Sequence, residues 1–336
     1  MISLFLGPVF AFNIAFCGSS KTVAKITHAD VTPTQNISVE DSTPKKLYNV
    51  LLMGEDETSG LSDVLIIVSC DTICKTVHVL QIPRDTYAEY TSAAYRKING
   101  ARDVLGSGRE VADFLEENLC IPIDHFITLE LDTLGKIVDA LGGVEVDVPF
   151  DMSYNDPYQN LEIDIKKGRQ TLDGELAKQF VRYRSGYKRG DLDRLDTQKL
   201  FLSALFEKIS KERNILSLIE ILITFLPQTE TDISYEYCFE LVKSFGIPEM
   251  KNISFVTLPG GDIRGSSGAW YYVMNRKSAY DIIKELFVTN LTEAEFDSER
   301  KFTSDVRKGF NEIYEASNGY EVKLYTAEEM NGGENN

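Results

Sequence analysis

From Leu47 onwards, the sequence alternates between short β-branched runs and longer segments with apolar residues at helical spacing. Val64–Cys70 and Thr76–Ile82 are β-branched runs separated by only five residues, which predicts a β-hairpin. Residues 109–119 carry Val111, Phe114, Leu115 and Leu119 on one helical stripe. This mixture of β and α elements predicts a layered α/β domain, in which helices flank a central mixed sheet.

Further along the chain, the same patterns predict where individual elements begin and end. A strand is expected over His125–Leu131, then a helix capped by Asp132 or Thr133 and stopped by Gly142-Gly143. Asp173 is expected to cap a helix that runs through Phe180. The remaining signals are a strand with Val144, Val146 and Val148 alternating, and a longer helix with Leu195, Leu202, Leu205, Phe206 and Ile209 on its apolar side.

The N-terminus differs in composition from the rest of the chain. The run from Ile2 to Phe16 is almost entirely apolar, but it lacks a basic flank and is shorter than the roughly 20 residues that span a bilayer. We therefore predict that residues 1–17 are a truncated signal or membrane anchor, with a buried strand or helix as the alternative. Residues 18–46 are rich in Ser, Thr, Lys and Pro, which is typical of a linker.

The charge and the metal-binding residue types exclude several functions. The chain has 52 acidic and 35 basic residues and a formal net charge of −17, which argues against general binding to nucleic acid or anionic lipid. The three histidines, at positions 28, 78 and 125, argue against a histidine-based zinc site. The five cysteines form no CxxC pair and are scattered, so we expect neither a thiolate metal cluster nor a disulfide framework.

Two sets of charged residues follow predicted strands. Glu55-Asp56 and Ser62-Asp63 stand at adjacent strand ends, where carboxylates can converge on a hard divalent cation; ordinary turn and cap roles are the alternative. Arg84-Asp85 follows Pro83, which removes one backbone donor and restricts the exit from the strand. That pair is either a directed arginine site or a simple surface ion pair.

The densest basic segment is residues 181–194, which holds five Lys and Arg side chains. Guanidinium groups match phosphate oxygens in pairs, so a polyphosphate is the natural ligand. Interleaved aspartates leave a self-neutralising surface loop as the alternative. Arg182 and Arg184 share a face if the segment is extended, and they diverge if the helix continues through them.

In their order along the chain, these segments resemble the LytR-CpsA-Psr family of cell-wall glycopolymer transferases. The resemblance is densest from Leu47 to Leu202 and continues more loosely to Phe287, so we expect a catalytic domain over 47–289. The matching segments are NVLLMGED, LSDVLIIV, LQIPRDTY, RKINGA, IVDALGGVEVDVP, KGRQTLDGELA, VRYR and DLDRLDTQ.

The resemblance implies a role for each matching residue. Asp56 and Asp63 match the aspartates that hold Mg²⁺, and Asp85 is expected to orient Arg84. Asp191 is expected either to orient Arg194 or to accept the proton of the acceptor. The implied catalytic residues are therefore Arg84, Asp191 and Arg194, and the implied pyrophosphate-binding residues are Arg84, Lys97, Arg182, Arg184, Arg194 and Gln198.

The resemblance also implies a reaction and a location. A glycopolymer would move from a polyprenyl pyrophosphate carrier to a peptidoglycan hydroxyl, releasing polyprenyl monophosphate at the extracytoplasmic face of a bacterial membrane. The polyprenyl tail would lie in an apolar tunnel, and the stripe of residues 111–119 and that of Ile137, Val138 and Leu141 are its expected walls, with plain core packing as the alternative. Which polymer is carried, teichoic acid, capsule or another glycan, is not implied.

Two departures from the family pattern leave other functions open. Leu61 and Thr197 stand where the family usually has basic residues. The alternatives are a non-catalytic protein that binds lipid-linked glycans and a polyprenyl pyrophosphate hydrolase. Residues 290–336 hold 11 acidic and five basic residues, and we predict an acidic extension that is partly helical and has a disordered end.

Overall fold

The computed structural model describes residues 47–55, 61–88, 90, 96–157, 161–187, 191–212, 214–264, 268–288, 290–297, 325–326 and 330. The side chains of Asp191, Leu192, Ile215, Asp297 and Tyr325 lie outside that description. So do the expected anchor, the expected linker and most of 290–336, whose assignments stay predictions. In the described part of the chain, no helix is both long enough and apolar enough to span a membrane.

The strands form one large sheet and three two-stranded ribbons. Their bounds are β1 (Leu47–Glu55), β2 (Ser62–Asp71), β3 (Thr76–Ile82), β4 (His125–Glu130), β5 (Val144–Val148), β6 (Met152–Asp156), β7 (Leu161–Ile165), β8 (Gly168–Leu172), β9 (Glu230–Thr231), β10 (Ile253–Thr257), β11 (Gly260–Arg264), β12 (Trp270–Met274) and β13 (Tyr325–Thr326). The seven-stranded sheet has the order β13-β10-β3-β2-β1-β4-β9. It is mixed, because β1 pairs parallel with β4 and β3 with β10, whereas its other pairs are antiparallel.

Helices pack on both faces of this sheet, which confirms the layered α/β architecture. Their bounds are α1 (Ala101–Leu105), α2 (Gly108–Leu119), α3 (Leu131–Ala140), α4 (Gly174–Arg182), α5 (Asp191–Lys211), α6 (Ile215–Phe225), α7 (Tyr235–Phe245), α8 (Arg276–Leu286) and α9 (Glu293–Asp297). On one face, α2 and α8 pack against alternate residues of the strands, including Leu51, Met53 and Leu65. On the other face, α5 and α7 cover Val77, Val79 and Phe255.

The predicted β2–β3 hairpin is confirmed, and its turn has a clear local cause. Asp71 Oδ1 accepts hydrogen bonds from the backbone N–H groups of Ile73 and Cys74, at 2.8 and 2.9 Å. Lys75 closes the turn with a φ of 59° and donates its N–H to Asp71 O at 2.8 Å. An aspartate that bonds the backbone two and three residues ahead stabilises such a turn.

The helix ends agree with the sequence at two of three predicted points. Asp173 Oδ1 accepts from Leu176 N at 2.9 Å and caps α4, as expected. Gly142 and Gly143, both at positive φ, end α3. The predicted cap of α3 by Asp132 or Thr133 is wrong, since α3 begins at Leu131. The Asp132 carboxylate instead accepts from Lys178 Nζ at 2.8 Å.

A second apolar core lies under the ribbons β5–β8 and β6–β7. The predicted alternation of Val144, Val146 and Val148 is confirmed, since all three side chains are buried in it. Phe180 of α4 and Phe201 of α5 pack into the same core. This core fixes the end of α4 and the start of α5 relative to each other, and both segments contribute to the site described next.

Candidate active site

The candidate active site lies where β1 and β3 end and β2 begins. Because β2 is antiparallel to both neighbours, its first residues lie beside the last residues of β1 and β3. Glu55, Asp63 and Arg84 are thereby brought to one edge of the sheet. Glu55 and Asp63 line the same cavity, so two carboxylates lie close to these strand ends, and their binding of a cation stays a prediction.

Asp63 is the centre of the charged cluster. Its Oδ1 accepts a hydrogen bond from Arg84 Nη1 at 2.8 Å, and its Oδ2 accepts from Arg184 Nη2. Arg194 Nη1 lies 3.7 Å from Oδ1. Burial acts to raise the pKa of Asp63, but Arg184, Arg194 and Arg84 outweigh it and hold the pKa below its usual value. Asp63 is therefore a permanent anion among three guanidinium groups near neutral pH.

Two arginines of the site, Arg182 and Arg184, come from the C-terminal end of α4 and the segment after it. The helix ends at Arg182, because Tyr183 takes a φ of −59° and a ψ of 131° and its ring is buried in the second core. The segment is therefore extended after Arg182, which settles the alternative that the sequence left open. Arg182 and Arg184 both line the cavity. The continued helix, in which they would diverge, is absent here.

A third arginine of the cavity, Arg194, and the glutamine Gln198 come from the first turns of α5. The Arg194 side chain is only 2% exposed, and its Nη2 donates to Asp63 O at 3.5 Å. Gln198 lies one turn later, accepts from Gln81 Nε2 at 3.1 Å and is 4% exposed. Such burial restricts the rotamers of both side chains, so their polar groups hold fixed directions.

These residues surround a cavity of about 340 Å³. It brings together Asp63, Arg182, Arg184, Arg194 and Gln198 of the sequence-predicted site. Three guanidinium groups and one amide face two carboxylates, so the cavity offers many donors for an anionic ligand. Its other lining residues are Gly54, Glu55, Val64, Leu131, Tyr154, Leu161, Val181 and Ser185.

Lys97 and Asp85 form a pair of their own beside this cavity. Lys97 Nζ donates to Asp85 Oδ1 at 2.9 Å. Lys97 is not among the residues that line the cavity, so its predicted contact with pyrophosphate stays a prediction. Asp85 was expected to orient Arg84, whereas the carboxylate that holds Arg84 in this structure is Asp63.

Two predicted residues cannot be located. Asp56 lies outside the described residues, and only the backbone of Asp191 is described, as the first residue of α5. Their predicted roles in metal binding and catalysis stay predictions. Asp56 directly follows Glu55 in the chain, and Asp191 stands one helical turn before Arg194.

Sequence reasoning missed Arg102, Glu230 and Tyr154. The Arg102 guanidinium bonds Glu55 Oε2 and also Glu230, so it joins the cavity wall to β9. Residues 55, 102 and 230 are too far apart in sequence for any spacing to signal this contact. Tyr154 reaches the cavity from the β6–β7 ribbon with a 40% exposed side chain. Its aromatic character is the only sequence signal that could have singled it out.

A second, apolar cavity of about 340 Å³ lies on the sheet face covered by α5 and α7. Leu52 and Leu129 line it, and the residues two further along, Gly54 and Leu131, line the charged cavity. In β1, residues two apart point to the same face, so the two cavities lie on the same face of the sheet. Its remaining walls are Ile127, Ile137, Leu141, Ile209, Leu218, Ile221, Leu222, Phe225, Leu226, Thr229, Val242, Gly246, Ile247 and Pro248.

Only part of the expected tunnel wall agrees with this cavity. Ile137 and Leu141 of α3 line it, as expected, whereas Val138 is buried in the second core. The expectation for α2 is wrong, because its stripe from Val111 to Leu119 is packed on the opposite face of the sheet. A buried helix and a cavity-lining helix show the same 3.6-residue periodicity, so the pattern alone could not separate them.

One of the two departures from the family pattern has a visible structural role. Thr197 is 6% exposed, and its Oγ1 accepts from the Tyr187 hydroxyl at 2.9 Å and donates to Asp193 O at 3.0 Å. It thus ties the segment after Arg184 to the start of α5. Leu61 immediately precedes β2, and the structure offers no comparable explanation for it.

Known proteins resemble this chain in both sequence and fold. The polyisoprenyl-teichoic acid–peptidoglycan teichoic acid transferase TagV of Bacillus subtilis (strain 168) is 33% identical over 238 residues, which are 68% of this chain and 61% of TagV. A transferase with the corresponding name, TagU of Bacillus mycoides (strain KBAB4), is 27% identical over 289 residues, or 83% of this chain and 91% of TagU. The crystal structure of B. subtilis TagV matches 76% of this chain and 100% of that chain, with a TM-score of 0.63 and 30% identity.

The match to TagV therefore spans about three fifths of that relative's length. The model of the LytR_cpsA_psr family matches residues 14–287. That range includes every residue of the charged cavity and all but β13 of the central sheet. On both counts, sequence and fold, this chain belongs to the LytR_cpsA_psr family.

Proposed function

We propose that this protein is a phosphotransferase that moves a glycopolymer from a polyprenyl pyrophosphate carrier to peptidoglycan. The observation that carries the proposal is the placement of two cavities on one face of the sheet, one lined by Arg182, Arg184 and Arg194 and the other almost wholly apolar. A lipid pyrophosphate has the same two parts, a doubly charged head and a hydrocarbon tail. The names of TagV and TagU, which describe transfer of polyisoprenyl-linked teichoic acid to peptidoglycan, support the same reaction.

The arginines suit the charge that develops in the reaction. The acceptor oxygen forms a bond to the phosphorus next to the sugar, and the bond from that phosphorus to the bridging oxygen breaks. Polyprenyl monophosphate leaves with the electron pair of the broken bond, and negative charge grows on its oxygen. Fixed guanidinium donors stabilise such charge most when they need no reorganisation, and Arg194 is held by almost complete burial.

Magnesium is part of the proposal. Two carboxylates of the charged cavity support it, while the described residues contain no group of three His, Cys, Asp or Glu side chains placed to hold a metal ion. Oxygen ligands are what Mg²⁺ prefers, and Asp63 lies in the charged cavity with Glu55. Glu55 Oε1 is buried and has no hydrogen-bond partner within the described structure, so the cavity contains a carboxylate oxygen able to take a further ligand. Asp63 and the neighbouring Asp56 would hold the ion, which would neutralise phosphate charge when bound.

The acceptor proton needs a base near the charged cavity. Asp191 is proposed for this role because of its place in the family pattern, one helical turn before Arg194. Lys97 would bind the outer phosphate oxygens if substrate draws it away from Asp85. We place the reaction at the extracytoplasmic face of a bacterial membrane, where both the carrier lipid and peptidoglycan meet.

Transfer can be tested with the full chain, a synthetic polyprenyl pyrophosphate oligosaccharide, Mg²⁺ and a peptidoglycan oligomer. Arg182→Ala should lower the yield of acceptor-linked glycan by about a hundredfold. Arg169→Ala is the matched control, because Arg169 lies on a ribbon away from the cavity and pairs with Glu145. Release of lipid phosphate without linked glycan would favour a hydrolase. Binding without turnover would favour a carrier of lipid-linked glycans.

A further inference from the structure

Exposed apolar side chains are concentrated on one part of the surface. Within the described residues, seven large hydrophobic side chains are strongly exposed, and five of them lie on α6, α7 and the β2–β3 turn. The other two, Tyr154 and Trp270, lie elsewhere. We refer to the five as the apolar surface: Ile73, Leu216, Ile223, Tyr235 and Phe239.

The three segments that carry the apolar surface contact one another. Lys75, at the end of the β2–β3 turn, donates from Nζ to Ser244 O in the last turn of α7. The same ammonium lies 5.9 Å from the centre of the Phe245 ring. Helices α6 and α7 also pack together. The three segments that carry the exposed side chains are therefore neighbours in the fold.

Helix α6 is apolar on two sides, which is unusual for a surface helix. Its inner side contributes Leu218, Ile221 and Leu222 to the wall of the apolar cavity. Its outer side exposes Leu216 by 69% and Ile223 by 54%. A helix that is apolar all round is normally buried in protein or in lipid, so the outer side calls for an apolar partner.

The start of β1 shows from which direction the N-terminal segment arrives. Tyr48, the second residue of β1, packs against Tyr237 of α7 with the ring centres 5.6 Å apart. The apolar run from residue 2 to residue 16 precedes β1, separated from it by the 18–46 segment. The start of β1 therefore lies beside α7, and this is the point at which the preceding chain joins the described structure.

We propose that the apolar surface docks on a lipid bilayer, with its side chains in the boundary between head groups and acyl chains. Aromatic and aliphatic residues on exposed helices favour that boundary. Lys75 and Lys243 are offset by Glu220, Glu236 and Glu240, so the surface has no basic excess to attract anionic lipid. Binding depends on apolar contact rather than on charge.

The docking proposal is based on the exposure of the apolar side chains and on their position in the fold. Only the purpose of docking rests on the proposed function. Helices α6 and α7 form one wall of the apolar cavity, through Leu222, Phe225 and Val242. Docking through their outer sides sets this wall against the bilayer. A polyprenyl tail could then pass from the membrane into the cavity with little exposure to water.

The single tryptophan of the sequence provides a matched pair of probes. Trp270 is 57% exposed and lies two residues before Tyr272, whose backbone bonds Asp85 and Tyr87 near the candidate active site. The full chain carrying Phe239→Trp and Trp270→Phe moves this probe to the apolar surface. Both proteins would be bound to vesicles of brominated phosphatidylcholine that contain no carrier lipid, and their fluorescence compared with that on unbrominated vesicles.

Docking predicts that bromine quenches the probe at position 239 at least about three times more than Trp270, with little change between low and high salt. Tyr235→Trp with Trp270→Phe gives the same reading if the first variant folds poorly. Equal quenching at both positions would overturn the proposal. An unquenched probe would also overturn docking. If the protein then sediments as a dimer, a second copy covers this surface; if it sediments as a monomer, the surface is left to the chain itself. Because no substrate is present, the result is independent of whether the protein is a transferase.

Discussion

Asp63 Oδ1 accepts a hydrogen bond from Arg84 Nη1 at 2.8 Å, and this contact joins the start of β2 to a residue two positions after the end of β3. The same carboxylate also bonds Arg184, which is 121 residues away in sequence. One anion therefore gathers cations from three separate segments. A phosphate or metal ligand in this cavity would compete with contacts that already exist within the protein.

Replacing Asp63 by asparagine should impair both stability and activity. The change keeps the shape of the side chain but leaves Arg84, Arg184 and Arg194 without their shared anion. Transferase activity should fall by about a hundredfold or more, because the guanidinium groups lose their fixed directions. Turnover is measured by release of polyprenyl monophosphate. Activity equal to that of the unmodified chain would contradict the organising role given to Asp63.

The difference in stability between the unmodified chain and Asp63→Asn should disappear in acid. The folded-state pKa of Asp63 lies below the value of 3.8 for a free aspartate. The ionised carboxylate therefore stabilises the fold fully at pH values above 3.8. This contribution is lost as the pH falls through the folded-state pKa. The free energies of unfolding of the unmodified chain and Asp63→Asn, measured with urea, should therefore differ most at pH 5 to 7, and the difference should shrink progressively as the pH falls below about 4. A constant difference across the range would contradict the assignment.

Arg194→Lys should retain the fold and lose much of the activity. The side chain is 2% exposed, and lysine keeps its charge but cannot reproduce the planar fork of donors. We expect kcat to fall about tenfold to a hundredfold. The control is Arg264→Lys, since Arg264 does not line the cavity and its Nε donates to Gly268 O within its own ribbon. Similar kinetics for both variants would argue against a special role for Arg194.

Thr197→Val should destabilise the protein by about 1 kcal/mol, because the buried hydroxyl bonds both Tyr187 and Asp193. Thr224→Val is the matched control, since its exposed hydroxyl makes a similar bond to a carbonyl one helical turn back, Glu220 O. That change should alter the free energy of unfolding by less than about 0.5 kcal/mol. Equal effects in urea titrations would show that Thr197 has no particular structural role.

Filling the apolar cavity should discriminate between carrier lipids by length. Leu222→Trp adds bulk to the cavity wall, so KM should rise about tenfold for a long polyprenyl substrate and little for a short one. Ile219→Trp is the control on the same helix, at a position that does not line the cavity. An equal rise in KM for both chain lengths would show that the cavity does not bind the polyprenyl tail.

Local signals in the sequence predicted the fold well. Three of these signals act within a few residues: the aspartate in the β2–β3 turn, the cap at Asp173 and the glycines after α3. The local sequence is therefore enough to predict their effects. The start of α3 was misplaced because the Asp132 side chain bonds Lys178, a contact across 46 residues. Long-range competition of this kind leaves no local trace.

The candidate site was predictable in a different way. Arg182, Arg184 and Arg194 stood out because basic residues are dense in an acidic chain, and strand order brought Glu55 and Asp63 together. The Arg102 bridge to Glu55 and Glu230 was missed, since no spacing relates these positions. The stripe of α2 was expected to line the tunnel but is packed in the core, because helical periodicity identifies the apolar side of a helix but not what that side contacts.

The most direct test of the central claim labels the phosphorus next to the sugar in a synthetic polyprenyl pyrophosphate oligosaccharide. The full chain, Mg²⁺ and a peptidoglycan oligomer are added, and the label is followed into each product. Phosphotransfer predicts that the label joins peptidoglycan in a phosphodiester, while the lipid leaves as unlabelled monophosphate. Label that remains on the lipid as pyrophosphate would mean that the sugar–oxygen bond breaks instead, and label in free glycan phosphate would mean hydrolysis. Either result would contradict the proposed function.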